Sequence, residues 1–123
     1  MARKSRILIV EDEPSFREAL VRLLTRLGHD VRPAATARDA HALLAEWRPN
    51  AMILDLVLPD ENGLSILRKI REENLPVRVA VVSGLSTTED NPQFAQFKPD
   101  IYFTKPVDVI TLAGWLGSTP SPR

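Results

Sequence analysis

The chain contains no cysteine, which excludes disulfides, thiolate metal sites and thiol catalysis and fits a reducing compartment. It carries no net charge either, because sixteen Lys and Arg balance sixteen Asp and Glu. Without an overall field there is no general attraction to nucleic acid or anionic lipid, so no nucleic-acid partner is expected within this chain. Long apolar runs are missing as well. After the basic start Met1-Ala2-Arg3-Lys4-Ser5-Arg6, the apolar run Ile7 to Val10 is too short for a signal-peptide core or a membrane span. The chain therefore reads as cytoplasmic, with no membrane partner. Internal repeats and low-complexity tracts are absent. Histidine occurs only as His29 and His41, which read as surface residues on a turn and on a polar helix face, without a role.

What is present is an ordinary globular composition, 44% hydrophobic and 26% charged over 123 residues. That length suits one domain, able to bury about two-thirds of its unfolded surface. Four short runs rich in Val, Ile and Leu each end in a functional group. Ile7 to Val10 stops at Glu11-Asp12, Ala51 to Leu54 at Asp55, Arg78 to Val82 at Ser83, and Ile101 to Thr104 at Lys105-Pro106. Such runs are the mark of strands buried on both faces of a parallel sheet, whose carboxyl ends open onto one ligand-binding edge.

Helical patterns separate these strands. Pro14 suits a first turn, and Phe16, Ala19, Leu20, Leu23, Leu24 and Leu27 recur at helical spacing until Gly28 closes the helix as a left-handed cap. Asp30 to Ala34 is a weak strand that Pro33 sends to a sheet edge. Thr36-x-x-Asp39 resembles a capping box, with Ala40, Leu43, Leu44 and Trp47 on one face of a second helix that ends before Pro49. Past a turn with Pro59, Asn62 and Gly63, a third helix turns Leu64, Leu67 and Ile70 inward and stops near Asn74 to Pro76. From Ser86 to Asp100 turn formers dominate, so the fourth helix is expected to be short or irregular, around Pro92 to Phe97. Val107 to Leu116 is the fifth helix. Trp47 and the group Leu112, Trp115 and Leu116 read as core, with a partner surface open as an alternative for Trp115. The expected fold is α/β, a flavodoxin-like doubly wound five-stranded parallel sheet of (βα)5 type. Residues 1–117 form the domain, and 118–123 a tail or linker.

Glu11, Asp12 and Asp55 on neighbouring strand ends would repel one another at a cost of several kcal/mol unless a cation or a proton joins them. An all-oxygen set suits a hard ion such as Mg²⁺, and with Lys105 the charges then sum to zero. That leaves Asp55 beside a metal, an ammonium and the Ser83 hydroxyl, an arrangement suited to phosphoryl transfer onto the carboxylate. Each residue has a plainer reading. The acids Glu11 to Glu13 favour the positive end of a helix, Asp55 is a loop cap, Ser83 and Tyr102 are structural, and Lys105 is a solvated lysine.

Four stretches in order resemble the receiver domain of two-component response regulators: ILIVEDEP from Ile7, ILDLVLPDENG from Ile53, VVSG from Val81 and YFTKP from Tyr102. The resemblance covers residues 5 to 117. It implies Mg-dependent phosphorylation of Asp55 by a partner histidine kinase, a phosphotransfer protein or a small phosphodonor, and a changed face toward a downstream protein effector. It also implies that Asp12 and Asp55 bind Mg²⁺ directly, with Glu11 acting through water and the Val57 carbonyl as a further ligand. Lys105 would pair with the phosphoryl group, Ser83 would move to hydrogen-bond it, and Tyr102 would swing inward as a switch. A cis Lys105-Pro106 bond is expected, a geometry that only an X-Pro bond reaches cheaply. The positions that tune hydrolysis in this family are here Val57 and Leu85, both apolar, which implies slow self-dephosphorylation. No turnover of a small substrate is expected, and a monomer or weak homodimer is. A pseudo-receiver scaffold without phosphorylation is the alternative. A flavin protein is disfavoured by the acidic crevice, and an aspartyl phosphatase by the lack of a second acid after Asp55-Leu-Val.

Overall fold

The computed structural model describes residues 4–84 and 96–118. Five strands, β1 (Arg6–Val10), β2 (Asp30–Ala34), β3 (Ala51–Leu54), β4 (Arg78–Ser83) and β5 (Ile101–Thr104), form one parallel sheet in the order β2-β1-β3-β4-β5. Four helices, α1 (Pro14–Arg26), α2 (Ala37–Glu46), α3 (Leu64–Glu72) and α4 (Val109–Gly117), are present among the described residues. The helix expected around Pro92 to Phe97 lies almost wholly outside them.

Alternation along the strands decides which helix packs where. Leu8, Val10, Met52, Leu54, Val79 and Val81 face α2 and α3, meeting Ala40 and Leu44 of one and Leu64, Leu67 and Ile70 of the other. The intervening Ile7, Ile9, Ile53, Ala80 and Val82 face α1 and α4 through Leu20, Leu24, Leu112 and Leu116. Both sheet faces are dry, which is why the strand sequences are apolar runs rather than alternations. Deleting a buried Ile or Leu from such a sandwich costs about 2–5 kcal/mol.

The caps follow the sequence. Glu13 accepts from the amides of Ser15 and Phe16 to start α1, and Gly28, at φ 94°, ends it. Around that glycine the His29 amide donates to Leu24 O and the Gly28 amide to Thr25 O, the paired bonds of a Schellman motif. Thr36 accepts from the Asp39 amide at 3.1 Å to start α2. Pro33 sits on edge strand β2, opposite Ile9. The last helix starts later than its apolar pattern suggests. Asp108 caps it by accepting from Ile110 N, so Val107 stays outside the helix and packs on the core.

Three side-chain placements correct the sequence reading. His29 is not a surface residue: it is 6% exposed, and its Nδ1 accepts from the Ser5 amide at 3.1 Å. Trp47 and Trp115 are only half-buried at the rim of the core, each under a guanidinium, Arg32 at 4.9 Å and Arg78 at 4.2 Å from the ring centres.

Candidate functional site

In a sheet of order 2-1-3-4-5 the order in which strands are added reverses between β1 and β3, and the crevice beyond their carboxyl ends is where such folds bind ligands. Val10 pairs with Leu54, Leu54 with Val81, and Ser83 with Thr104, so Glu11, Asp55, Ser83 and Lys105 all emerge at that one edge. The topology alone brings together groups up to 94 residues apart in sequence.

Their contacts are short. Lys105 Nζ donates to Glu11 Oε1 at 2.6 Å and to Asp55 Oδ2 at 2.9 Å. The other Asp55 oxygen, Oδ1, accepts from the Val57 amide at 3.0 Å, and Glu11 Oε2 accepts from the Glu13 amide at 3.2 Å. Glu11 and Asp55 are 2% and 5% exposed, whereas Asp12 is open to solvent. The three acids offer ligand oxygens that all lie within 4.8 Å of one another.

Two ionised carboxylates that close repel by about 3–4 kcal/mol at an effective dielectric constant near 20. One lysine does not neutralise three of them. Burial pushes the Glu11 carboxyl above the usual carboxylate range; the Lys105 ammonium and the Glu13 amide pull it back only in part, and Asp55 adds to the push. Burial alone would pull Lys105 down, but its bonds to Glu11 and Asp55 outweigh that and raise it, so the ammonium stays charged. A hard divalent cation fits this all-oxygen set, since it would relieve the surplus negative charge.

A family model of the response regulator receiver domain matches residues 7–115. The chain belongs to this family. Among curated proteins, the virulence transcriptional regulatory protein PhoP of Salmonella typhimurium is 36% identical over 104 residues, covering 85% of this chain and 46% of that protein. The chain thus spans about half the length of the curated relatives it matches. A CheY-like response regulator receiver domain protein from Methanospirillum hungatei superposes with a TM-score of 0.84 at 27% identity, covering 93% of this chain and 91% of that one. A Burkholderia pseudomallei response regulator, crystallised with a phosphorylated aspartic acid, calcium ion and citrate, gives 0.79 at 25% identity, covering 93% and 71%.

The remaining residues singled out in the sequence, Leu85 excepted, have definite places in this receiver domain. Ser83 ends β4 fully buried, and its carbonyl accepts from the Lys105 amide at 2.8 Å. Tyr102, on edge strand β5, is half-buried against the cluster beneath α2 and α3; burial, then the Asp55 charge, raises its phenol, which stays protonated. Val57 is 58% exposed beside Asp55, and Leu85 lies outside the described residues. The Lys105-Pro106 peptide is cis.

The structure also adds roles that the sequence reading did not assign. Arg17, one turn into α1, donates through one nitrogen to the carbonyls of Glu11 at 3.0 Å and Asp12 at 3.2 Å. Asp60, in the loop after Asp55, accepts from the amides of Ala37 and Arg38 at 2.9 Å each and so ties that loop to the start of α2. Those two amides hold its carboxyl below the usual range. Gly63 presses so closely on the loop that an added Cβ would lie 2.5 Å from the Asp55 carbonyl oxygen. An arginine one turn behind an acidic loop was a usable signal for Arg17; nothing local marked Asp60.

Proposed function

We propose that this receiver domain is a phosphorylatable switch in a two-component relay, with Asp55 as the acceptor. The observation that carries this reading is the Lys105 ammonium held between Glu11 and Asp55, at 2.6 and 2.9 Å, beside an acid cluster able to take a divalent cation. Glu11, Asp12 and Asp55 would hold Mg²⁺, with the Val57 carbonyl as a further ligand. Bound there, the ion supplies positive charge against the transferring phosphoryl oxygens.

An Asp55 carboxylate oxygen bonds to phosphorus as the donor's bond breaks, P–N for a phosphohistidine or P–O for an acyl phosphate. The bonding pair leaves with the imidazole or the carboxylate. Lys105 turns from the Asp55 carboxylate toward the new phosphoryl oxygens, and the Ser83 hydroxyl supplies a hydrogen bond. Tyr102 follows inward and carries the change to β5, and so to the face seen by a downstream protein. Val57 offers no hydrogen bond to an attacking water, so the phosphoryl group persists. The phosphorylated aspartic acid in the Burkholderia relative, 25% identical, supports the assignment. The kinase, phosphotransfer and effector partners, a cytoplasmic setting and a monomer or weak homodimer belong to the same reading. So does a domain that ends at Gly117, with 118–123 as tail or linker. No described helix is long and apolar enough to cross a membrane.

The test is intact-mass spectrometry after incubation with acetyl phosphate and Mg²⁺. Wild type gains one phosphoryl group, and Asp55→Asn or omission of Mg²⁺ abolishes the gain. A folded wild type that never gains mass, and whose spectrum beryllofluoride with Mg²⁺ leaves unmoved, would instead be a pseudo-receiver scaffold.

A further inference from the structure

Lys105 has a third partner that the acid site does not explain. Its Nζ lies over the ring of Phe16, 5.2 Å from the centre, inside the range in which an ammonium is attracted to an aromatic face. Phe16 is half-buried and rests on the cluster between the sheet, α1 and α4. Its backbone is also fixed, because its amide donates to the capping Glu13 carboxylate at 2.7 Å. The ring is therefore a rigid wall standing beside a long, flexible and 29% exposed lysine side chain.

We propose that Phe16 is a positioning residue that keeps the Lys105 ammonium aimed into the site while its polar partners change. The inference rests on the phosphoryl-acceptor reading. In that reaction Asp55 ceases to be a free carboxylate, and Lys105 must exchange this partner for phosphoryl oxygens. During the exchange the contacts among the described residues that do not depend on the state of Asp55 hold the ammonium: the Glu11 carboxylate and the Phe16 ring. A π face suits this task because it attracts the cation without fixing the direction of any one N–H, leaving a donor for the phosphoryl group. A carboxylate or carbonyl in the same place would compete for that donor.

The plainer view is that Phe16 is merely a core residue at the rim, and the experiment separates the two. Phe16→Leu and Phe16→Met keep apolar bulk without a ring, while Phe16→Tyr keeps the ring. In wild type and in Phe16→Tyr, the ring current should shift the NMR signals of the Lys105 ε-methylene upfield, and both ring-less variants should lose that shift. With acetyl phosphate and Mg²⁺, the maximal phosphorylation rate should fall about two- to fivefold in Phe16→Leu and Phe16→Met and be restored in Phe16→Tyr. Circular dichroism confirms that each variant is folded, and Phe16→Met stands in if Phe16→Leu is not.

If a phosphorylated wild type is matched by the ring-less variants in rate, or if Phe16→Tyr is slowed as much as they are, the inference is overturned and the functional reading survives. A wild type that takes up no phosphoryl group overturns the functional reading, and the inference with it.

Discussion

Replacing Gly63 by alanine isolates the contact that presses α3 against the Asp55 loop. Gly63 has ordinary helical angles, φ −60° and ψ −16°, so an alanine there meets no backbone strain of its own. The obstacle is space. The added Cβ would lie 2.5 Å from the Asp55 carbonyl oxygen and 3.0 Å from Leu56 Cα, against the 3.4 Å at which ordinary contact begins. Both neighbours are backbone, and neither can rotate away. The loop is also pinned from both sides, since the Gly63 amide donates to Leu56 O at 2.8 Å and the Val57 amide to Asp55 Oδ1 at 3.0 Å. Relief therefore needs the helix and the loop to part by about 1 Å, an overpacking cost of roughly 1–3 kcal/mol. For a domain of this size that lowers Tm by roughly 5–15 °C in calorimetry. The same change at Gly114, exposed on α4 with nothing within 4 Å of the new Cβ, should instead stabilise. Removing a glycine from a helix interior gains about 0.5–1 kcal/mol. Two Gly→Ala variants that shift Tm in the same direction, or a Gly63→Ala protein as stable as wild type, would refute the packing argument.

Two further outcomes follow from buried or bare side chains near named partners. Burial holds the His29 imidazole below its ordinary value of 6.5, and its neutral Nδ1 accepts from Ser5. On acidification the unfolded chain takes up this proton first, so His29's contribution to stability is complete above pH 6.5 and is lost as pH falls through its lower folded value. Between those two values stability falls as protons are taken up, and the difference in denaturant-derived stability between wild type and His29→Gln should show it. A difference that does not change with pH would mean His29 titrates as it does in water. Val57→Asn places a hydrogen-bonding group at the exposed position beside Asp55, and should speed loss of the phosphoryl group about tenfold or more by orienting water. Unchanged decay, followed by intact mass after donor removal, would show that Val57 does not protect the phosphoryl group.

The strands were legible because a parallel sheet covered on both faces leaves no room for polar residues, so Ile7 to Val10 and Ala51 to Leu54 stand out as apolar runs. The site was legible for the same reason at one remove: where each run stops, its next residue projects at the common edge, and Glu11, Asp55 and Lys105 met without any local signal linking them. Local pattern failed where a side chain's partner lies in another segment. Three consecutive acids proved to have three different situations: Glu11 is buried on Lys105, Asp12 is open in the cluster, and Glu13 caps α1. Only Glu13 behaves as the plain helix-end reading expects, with the Phe16 and Ser15 amides holding its carboxyl below the usual range. A histidine directly after a turn glycine looks exposed by composition, yet the Schellman turn at Gly28 folds His29 back onto Ser5, 24 residues earlier. Phe16 shows why the two scales meet at function: its spacing assigns it to the apolar stripe of α1, and that stripe continues upward until its first ring reaches the lysine of the site. The helix that builds the core therefore also delivers a wall of the crevice, so substitutions made to improve packing around Phe16 should be checked for phosphorylation rate as well as Tm.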